Sequence, residues 1–362
     1  MNQNELQNRV LLNCVEHHAS VVMQDVYQDG YSAEDILGFS KEKWEQYFSK
    51  IKVNRILQTL SSIRIESVMD ELLAQKIGIL PFEDLDYPPL LREIYNPPRL
   101  LYYIGKLPQP SSLLISVVGS RDSTMAGRLN ARDLGQFLAD RGIGVVSGLA
   151  RGIDYAAHEG VLKQKGTCIG VVACGIHEFT RPRLQPFHSA ILENGCILSE
   201  FPPDYPVYRK SFPIRNRIIT GMSVATILVE AALRSGSMVS ARLALEQGRE
   251  VFAFPGPIFS ETYSGCHELI RNGASLVSSF EDIVNDLSLN LPQFQAVATQ
   301  TIVPGGDDGK RVFALIGKEP QSVEEIVYQL QMPLGRILGV ILELERNNLL
   351  TRLPGDMLIR RS

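Results

Sequence analysis

The stretch LLISVVGSRDSTMAG, residues 113–127, decides the fold. A near-continuous apolar run ends in Gly119-Ser120-Arg121, and an amphipathic pattern follows it. A strand of this kind reads as buried on both faces, as in a parallel sheet covered by helices. The glycine lets the backbone turn sharply where the strand ends. Ser120 offers a hydroxyl there, and Arg121 a planar fork suited to phosphate.

Working outward, the same alternation repeats. Strands are predicted at 113–118, 144–147, 167–173, 196–199, 224–230 and 250–254, with helical patterns between several of them. In one of those patterns Ala126, Leu129, Leu134, Phe137 and Leu138 fall on one half of a helix. The fold class is therefore α/β, a Rossmann-like parallel sheet over residues 113–288. Ligands in such sheets bind at the carboxyl ends of the strands, where helix N-termini present free N–H groups. Two further strand ends carry small residues: Ser147-Gly148 in VVSGLARGID (145–154) and Ser235-Gly236-Ser237 in VEAALRSGSMVSA (229–241). The stretch 208–229 adds Arg209, Lys210, Arg215 and Arg217 with no acidic residue.

The flanks differ from the core. Residues 1–80 read as short helices, a small SAM-like or helix-hairpin-like domain. Ser32 with Asp35 and Ser40 act as caps, and Trp44, Tyr47, Phe48 and Ile51 form an apolar face. Residues 81–112 are a proline-dense connector containing Pro88-Pro89 and Pro97-Pro98 and one short strand at 100–104. Residues 289–310 lack periodicity and read as a linker. Residues 311–362 follow the order helix, helix, helix, hairpin, which is that of a winged-helix domain. There Ser322 and Glu325 form a capping box, and Pro333 starts a helix through Leu334, Ile337, Leu338 and Ile341. A hairpin turns about Pro354-Gly355-Asp356. The outward side of that helix offers Gly335, Arg336, Gly339, Glu343 and Arg346, a modest charge for a DNA reader, so a protein-binding or regulatory role stands beside groove binding.

Composition narrows the chemistry. The chain has 362 residues and a net charge of −4, which argues against coating nucleic acid by bulk attraction. The apolar runs are of strand length, and the N-terminus lacks an apolar signal core, so a cytoplasmic protein without a membrane span is expected. The five cysteines form no C-x-x-C pair and read as buried free thiols; Cys266-His267 is two ligands without partners, so no metal is expected. The phosphate-binding loop bearing the Walker A lysine is absent, the first loop is not G-x-G-x-x-G, and strand two ends in Ser147 rather than an acid, so no nucleotide cofactor is expected. Asp154 and His158 lie four apart on one helix, where a cap and a local hydrogen bond compete with an acid–base pair. Arginines, serines and bare N–H groups without an evident base describe a polyanion binder, with no catalytic residue assigned.

SVVGSR, VVSGLARGIDYAAH, LSEFPP (198–203), FPIRNRIITGMS (212–223), VEAALRSGS and VFAFPG (251–256) occur in order, with YPPLL (87–91) and PPRLLYYIG (97–105) upstream. In these motifs, over residues 80–287, the chain resembles the DNA-processing protein A (DprA/Smf) family. The resemblance implies a non-enzymatic binder of single-stranded DNA that dimerises through the Rossmann-like domain. It implies protection of incoming DNA and loading of the RecA recombinase during natural transformation. The family's anion pocket maps onto Gly119, Ser120, Arg121, Arg215, Asn216 and Arg217, to which the residue pattern adds Ser147, Gly148, Lys210, Ser235, Gly236 and Ser237. Four features depart from the family: Ile214 where a basic residue is common, Ser240 for a threonine, Cys266-His267 before Glu268, and the segment 174–188, in which Arg181 and Arg183 add charge. Two other readings are open. One is a Rossmann-like nucleoside-monophosphate phosphoribohydrolase working through Glu230 or Glu200, although Pro257-Ile258 stands where its glycine-rich loop would be. The other is a structural adaptor with a vestigial pocket.

Overall fold

The computed structural model describes residues 3–179, 186–290, 306–317, 319–347, 349–353 and 355–360. They fall into two compact units, 1–277 and 278–362.

The first unit opens with helices α1 Gln3–His18, α2 Gln24–Gln28, α3 Ala33–Leu37, α4 Lys41–Tyr47, α5 Lys50–Ser62 and α6 Ile65–Ala74. Ser32 and Asp35 form the capping box that starts α3, and the Ser40 hydroxyl accepts from the Lys43 N–H at the start of α4. Leu12, Val15, Trp44, Val53 and Ile56 build the core of this bundle. The expected face through Ile51 is corrected: Ile51 is 69% exposed. The backbone turns extended at Phe48 and Ser49, so α5 starts with a new phase and Ile51 leaves the stripe that Trp44 begins.

Nine strands form one sheet in the order β1-β2-β6-β5-β4-β3-β7-β8-β9. They are β1 Gly78–Pro81, β2 Leu100–Gly105, β3 Leu114–Val118, β4 Gly144–Ser147, β5 Cys168–Val171, β6 Gly195–Ser199, β7 Ala225–Leu228, β8 Glu250–Ala253 and β9 Ser275–Leu276. From β6 to β9 every pairing is parallel, and β1 and β2 add antiparallel to the β6 side. The expected α/β sheet is present; the short strands β1 and β9 were not legible in the sequence. Pro81 ends the edge strand β1, where the N–H it lacks is not missed. Helices α7 Pro89–Arg92, α8 Met125–Asp140, α9 Ile153–Lys163, α10 Pro186–Asn194, α11 Ser211–Gly221, α12 Gly236–Glu246 and α13 Ser264–Arg271 complete the unit.

Helix α8 corrects a second expectation. Leu129 is 40% exposed, and the buried residues are Gly127, Ala131, Leu134, Gly135 and Leu138. Small residues win because α8 and α9 meet backbone to backbone. A Cβ on Gly135 would lie 2.2 Å from the Ala157 carbonyl oxygen, and one on Gly160 would lie 1.9 Å from that of Arg132. The helical bundle is tied to the sheet by buried polar bonds. Asn13 Nδ2 donates to the Glu200 carbonyl (3.0 Å), and the Tyr102 hydroxyl donates to Asn13 Oδ1 (3.0 Å).

The second unit holds α14 Phe280–Asn290, α15 Gly306–Leu315, β10 Gln321–Ser322, α16 Val323–Leu330, α17 Leu334–Arg346, β11 Leu350–Leu353 and β12 Met357–Arg360, the strands forming a sheet β10-β12-β11. Val312, Ile326, Ile337, Ile341, Leu344 and Leu358 make its core, and Ser322 with Glu325 closes the capping box. This is the winged-helix arrangement. The unperiodic stretch 289–310 is partly helical at both ends; its residues 291–305 lie outside the described residues, as does Pro354. Pro333 caps α17 instead of opening it. Leu334 and Leu338 are exposed, because Ile337, Val340, Ile341 and Leu344 already supply the buried stripe. Among the described residues no helix is long and apolar enough to cross a membrane.

Candidate functional site

The parallel part of the sheet begins at β3 in its middle, winds outward through β4, β5 and β6, then returns to lay β7 on the other side of β3. That reversal opens a crevice at the carboxyl ends of β3 and β7. The loops there are stitched together by the backbone. The Ser120 N–H donates to the Glu230 carbonyl (2.7 Å), and the Ile153 N–H donates to the Ser120 carbonyl (3.2 Å). Glycine is required at two of the joints. A Cβ on Gly119 would sit 2.5 Å from Ile153 Cγ1 and 2.9 Å from the Glu230 carbonyl oxygen. Gly152 has φ +91°, and its Cβ would meet the carbonyls of Ser120 and Arg121 at 2.3 and 2.7 Å.

The predicted residues divide on this frame. Arg121 is exposed, with its guanidinium 4.8 Å from the centre of the Phe212 ring; that of Arg215 lies 6.0 Å from the same ring. Arg215 is only 4% exposed. Its head packs on Gly148, where a Cβ would come within 2.4 Å of Nη1, and it donates to the Val171 carbonyl. Arg121, Arg215, Gly148 and Phe212 are therefore brought together. Ser147 is not free: its hydroxyl donates to the Val117 carbonyl at 2.6 Å and ties β4 to β3. The Gly148 N–H is also taken, by Asp154 Oδ2 at 3.1 Å. Ser235 is the N-cap residue of α12, its Oγ 2.7 Å from that of the buried Ser237, and Gly236 opens the helix with open space where a Cβ would stand. Asn216 is half-buried on α11.

Two predicted residues point elsewhere. Arg217 forms a buried ion pair with Glu200, the two side chains 13% and 10% exposed. Successive positions on a helix point about 100° apart, so Arg215 and Arg217 cannot share a face. Lys210 donates to the Ser20 hydroxyl of the helical bundle at 2.9 Å. Of the departures, Ile214 is a surface residue, Ser240 is buried, and Arg181 and Arg183 lie outside the described residues.

Two carboxylates at this edge, Glu230 and Asp154, are engaged by loop and helix-start amides. Glu230 accepts from the Thr124 N–H (3.0 Å to one oxygen, 3.1 Å to the other) and from the Thr124 hydroxyl (2.8 Å), so it anchors the start of α8. Burial raises the Asp154 carboxyl, opposed by the Arg215 charge and the amides of Gly148 and Ala150. Burial also pushes Arg215 down to about 10, countered by Asp154, and it stays charged at neutral pH. His158 makes no bond with Asp154. Its ring nitrogens have no hydrogen-bond partner among the described residues, and burial holds it down at about 3. The acid–base reading of that pair has no geometry behind it. Cys266 and His267 also part company: the thiol is buried toward the Leu228 carbonyl, and the ring nitrogen lies 3.1 Å from the Gly256 carbonyl. Among the described residues no group of His, Cys, Asp and Glu could hold a metal, and the five cysteines are buried with no disulfide between them.

The sequence reading assigned no role to Phe212, and for Asp154 it weighed a cap with a local hydrogen bond against an acid–base pair; the bond to the Gly148 N–H is local. Phe212 sat inside the quoted FPIRNR motif, and an aromatic three residues before an arginine on one helix was the available signal. The place of Asp154 at the helix start was its signal; that its donor is the Gly148 amide six residues back was not legible.

Residues 78–288 match the family model described as DNA recombination-mediator protein A, and residues 280–356 match the DprA winged helix domain. Protein Smf of Escherichia coli (strain K12) is 38% identical over 297 residues, covering 80% of this chain and 79% of that protein. DNA processing protein DprA of Bacillus subtilis (strain 168) is 36% identical, over 74% of this chain and 84% of its own length. The crystal structure of DprA from Streptococcus pneumoniae aligns over 78% of this chain and 95% of its own, with a TM-score of 0.62 and 30% identity. DNA processing protein A from Helicobacter pylori, described for its single-stranded DNA binding mode, aligns over 59% of this chain and 97% of its own, with a TM-score of 0.51 and 28% identity. Matched by its family model over more than half its length and carrying the winged-helix domain as well, the chain belongs to the DNA recombination-mediator protein A family, the DprA/Smf proteins.

Proposed function

We propose that this chain binds single-stranded DNA through its backbone at the carboxyl edge of β3 and β7. In this reading it acts without catalysis, as a recombination mediator that protects incoming DNA and delivers it to the RecA recombinase. It works as a homodimer joined through the Rossmann-like domain, in the cytoplasm. The observation that carries the reading is the exposed guanidinium of Arg121, held on Phe212 beside the buried charge of Arg215. The phosphate contacts are Arg121 and the start of α12 at Ser235 and Gly236, with the buried Ser237 hydroxyl behind that of Ser235; Gly119, Ser120 and Gly148 shape the loops. Arg215 supplies positive potential from beneath, with Asn216 next to it.

A phosphoribohydrolase would need a carboxylate free to act on a bound nucleotide. Glu230 is engaged by Thr124 and Glu200 by Arg217, which speaks against that alternative. The test is fluorescence anisotropy with labelled oligonucleotides over a salt series. Neutralising about four to six phosphates predicts a log–log slope of about −3 to −4 on single strands, whatever the sequence. Absence of binding at low salt would overturn the proposal, as would release of free base from nucleoside monophosphates.

A further inference from the structure

Beyond the phosphate pocket, the same sheet edge carries an aromatic pair with no part in the grip described above. Tyr155 lies in the first turn of α9 and Phe187 in the first turn of α10. Their rings are stacked, centroids 3.9 Å apart and planes inclined by 23°. Phe187 in turn leans edge-on to the buried His158 ring at 6.4 Å. Tyr155 is nevertheless 37% exposed. A large aromatic on an α/β surface usually turns inward or stands alone; here one ring face is backed by a second ring and the residue still reaches solvent.

The position matters as much as the stack. The strands before these helices, β4 and β5, are neighbours, so α9 and α10 both start at the carboxyl edge. Tyr155 follows Gly152 by three residues, about 5 Å along a helix of 1.5 Å rise. Gly152 itself packs on the backbone of Ser120 and Arg121. Just before Gly152, Arg151 projects into solvent, its side chain 76% exposed and paired with the exposed Asp122 at 2.7 Å. One nucleotide step along an extended strand is of the same order as that spacing.

We infer that Tyr155, backed by Phe187, is a stacking platform for an unpaired base of the DNA whose backbone is held at Arg121. The inference rests on the reading given under Proposed function. A ring already fixed by stacking loses little freedom when a base settles on its open face, and every base has a π-face to offer. A duplex keeps its bases stacked on one another and cannot use the platform. Tyr155 would therefore contribute the preference for single strands, while the arginines contribute affinity for phosphate of any kind.

The test compares wild type, Tyr155→Ala and Tyr155→Phe by anisotropy on two oligonucleotides of equal length, one normal and one wholly abasic. Stacking of one base predicts that Tyr155→Ala binds the normal strand about 5- to 150-fold more weakly. On the abasic strand the variant should match wild type within about twofold, with an unchanged salt slope because no phosphate contact is lost. Tyr155→Phe should retain wild-type binding to both. A strand carrying 5-iodouracil should cross-link to Tyr155 in wild type. Equal losses on normal and abasic strands, or no loss on either, would overturn the platform while leaving the phosphate grip intact. Failure of the wild type to bind either strand would overturn the phosphate grip itself.

Discussion

Arg121 and Arg217 look alike in the sequence and should behave as opposites when replaced by alanine. Arg121 is exposed and rests on Phe212. Removing it deletes one charge-assisted phosphate contact of about 1.5–3 kcal/mol, a loss of about 10- to 150-fold in affinity. The salt slope should become shallower by about 0.7, the contribution of one phosphate on a single strand. Stability should fall by less than about 1 kcal/mol, the worth of an exposed cation–π contact. Arg217 is buried against Glu200, the two side chains 13% and 10% exposed. Its removal leaves a carboxylate shut away without its partner, which costs about 3–5 kcal/mol. The folded fraction of Arg217→Ala should still bind DNA with the wild-type slope. Urea midpoints and anisotropy over a salt series, measured on the same preparations, separate the two effects. A shallower slope with unchanged stability in Arg217→Ala would refute the reasoning, as would wild-type affinity in Arg121→Ala.

Gly119→Ala forces a methyl against Ile153 and the Glu230 carbonyl, neither of which can retreat far. It should lower stability by about 1–3 kcal/mol and, by lifting the Arg121 loop, weaken DNA binding. Gly236→Ala meets open space and should leave the melting temperature unchanged; equal melting of both variants would show that the stitched loops are not tight. His158 is held down at about 3 from an ordinary value of 6.5. Below about pH 6.5 the unfolded chain gains a proton there that the folded chain refuses, so stability present above 6.5 is lost as pH falls toward 3, by up to about 1.4 kcal/mol per pH unit. Glu16, raised to about 7 by burial, works in the opposite direction between 7 and 4.5 and is common to both proteins in a comparison with His158→Phe. The variant should therefore show a flatter acid limb in urea titrations from pH 7 to 4; identical limbs would mean that His158 is not the group responsible.

The alternation of Val/Ile strands with helical patterns was legible because burial on both faces demands it, and the capping boxes at Ser32 and Ser322 were legible because their partners are three residues away. Short edge strands such as β9, two residues long, carry no period to detect. The face of α8 was misread for a related reason: a helix that meets another backbone to backbone buries glycine and alanine, and hydropathy ranks leucine above them.

The candidate site divides along the same line. Local sequence determined that three glycine-serine turns and a basic segment would stand at one sheet edge, because strand order in a parallel α/β chain places every strand end there. Only the tertiary structure decided which groups remain for a ligand. Arg121 stays in solvent, Arg215 goes beneath it to face Asp154, and Arg217 turns to Glu200. The physical reason is that a helix sends residues two apart in different directions, and what waits in each direction is contributed by chain far away in sequence. Glu200 lies on the segment after β6, and Phe187, which backs Tyr155, starts α10.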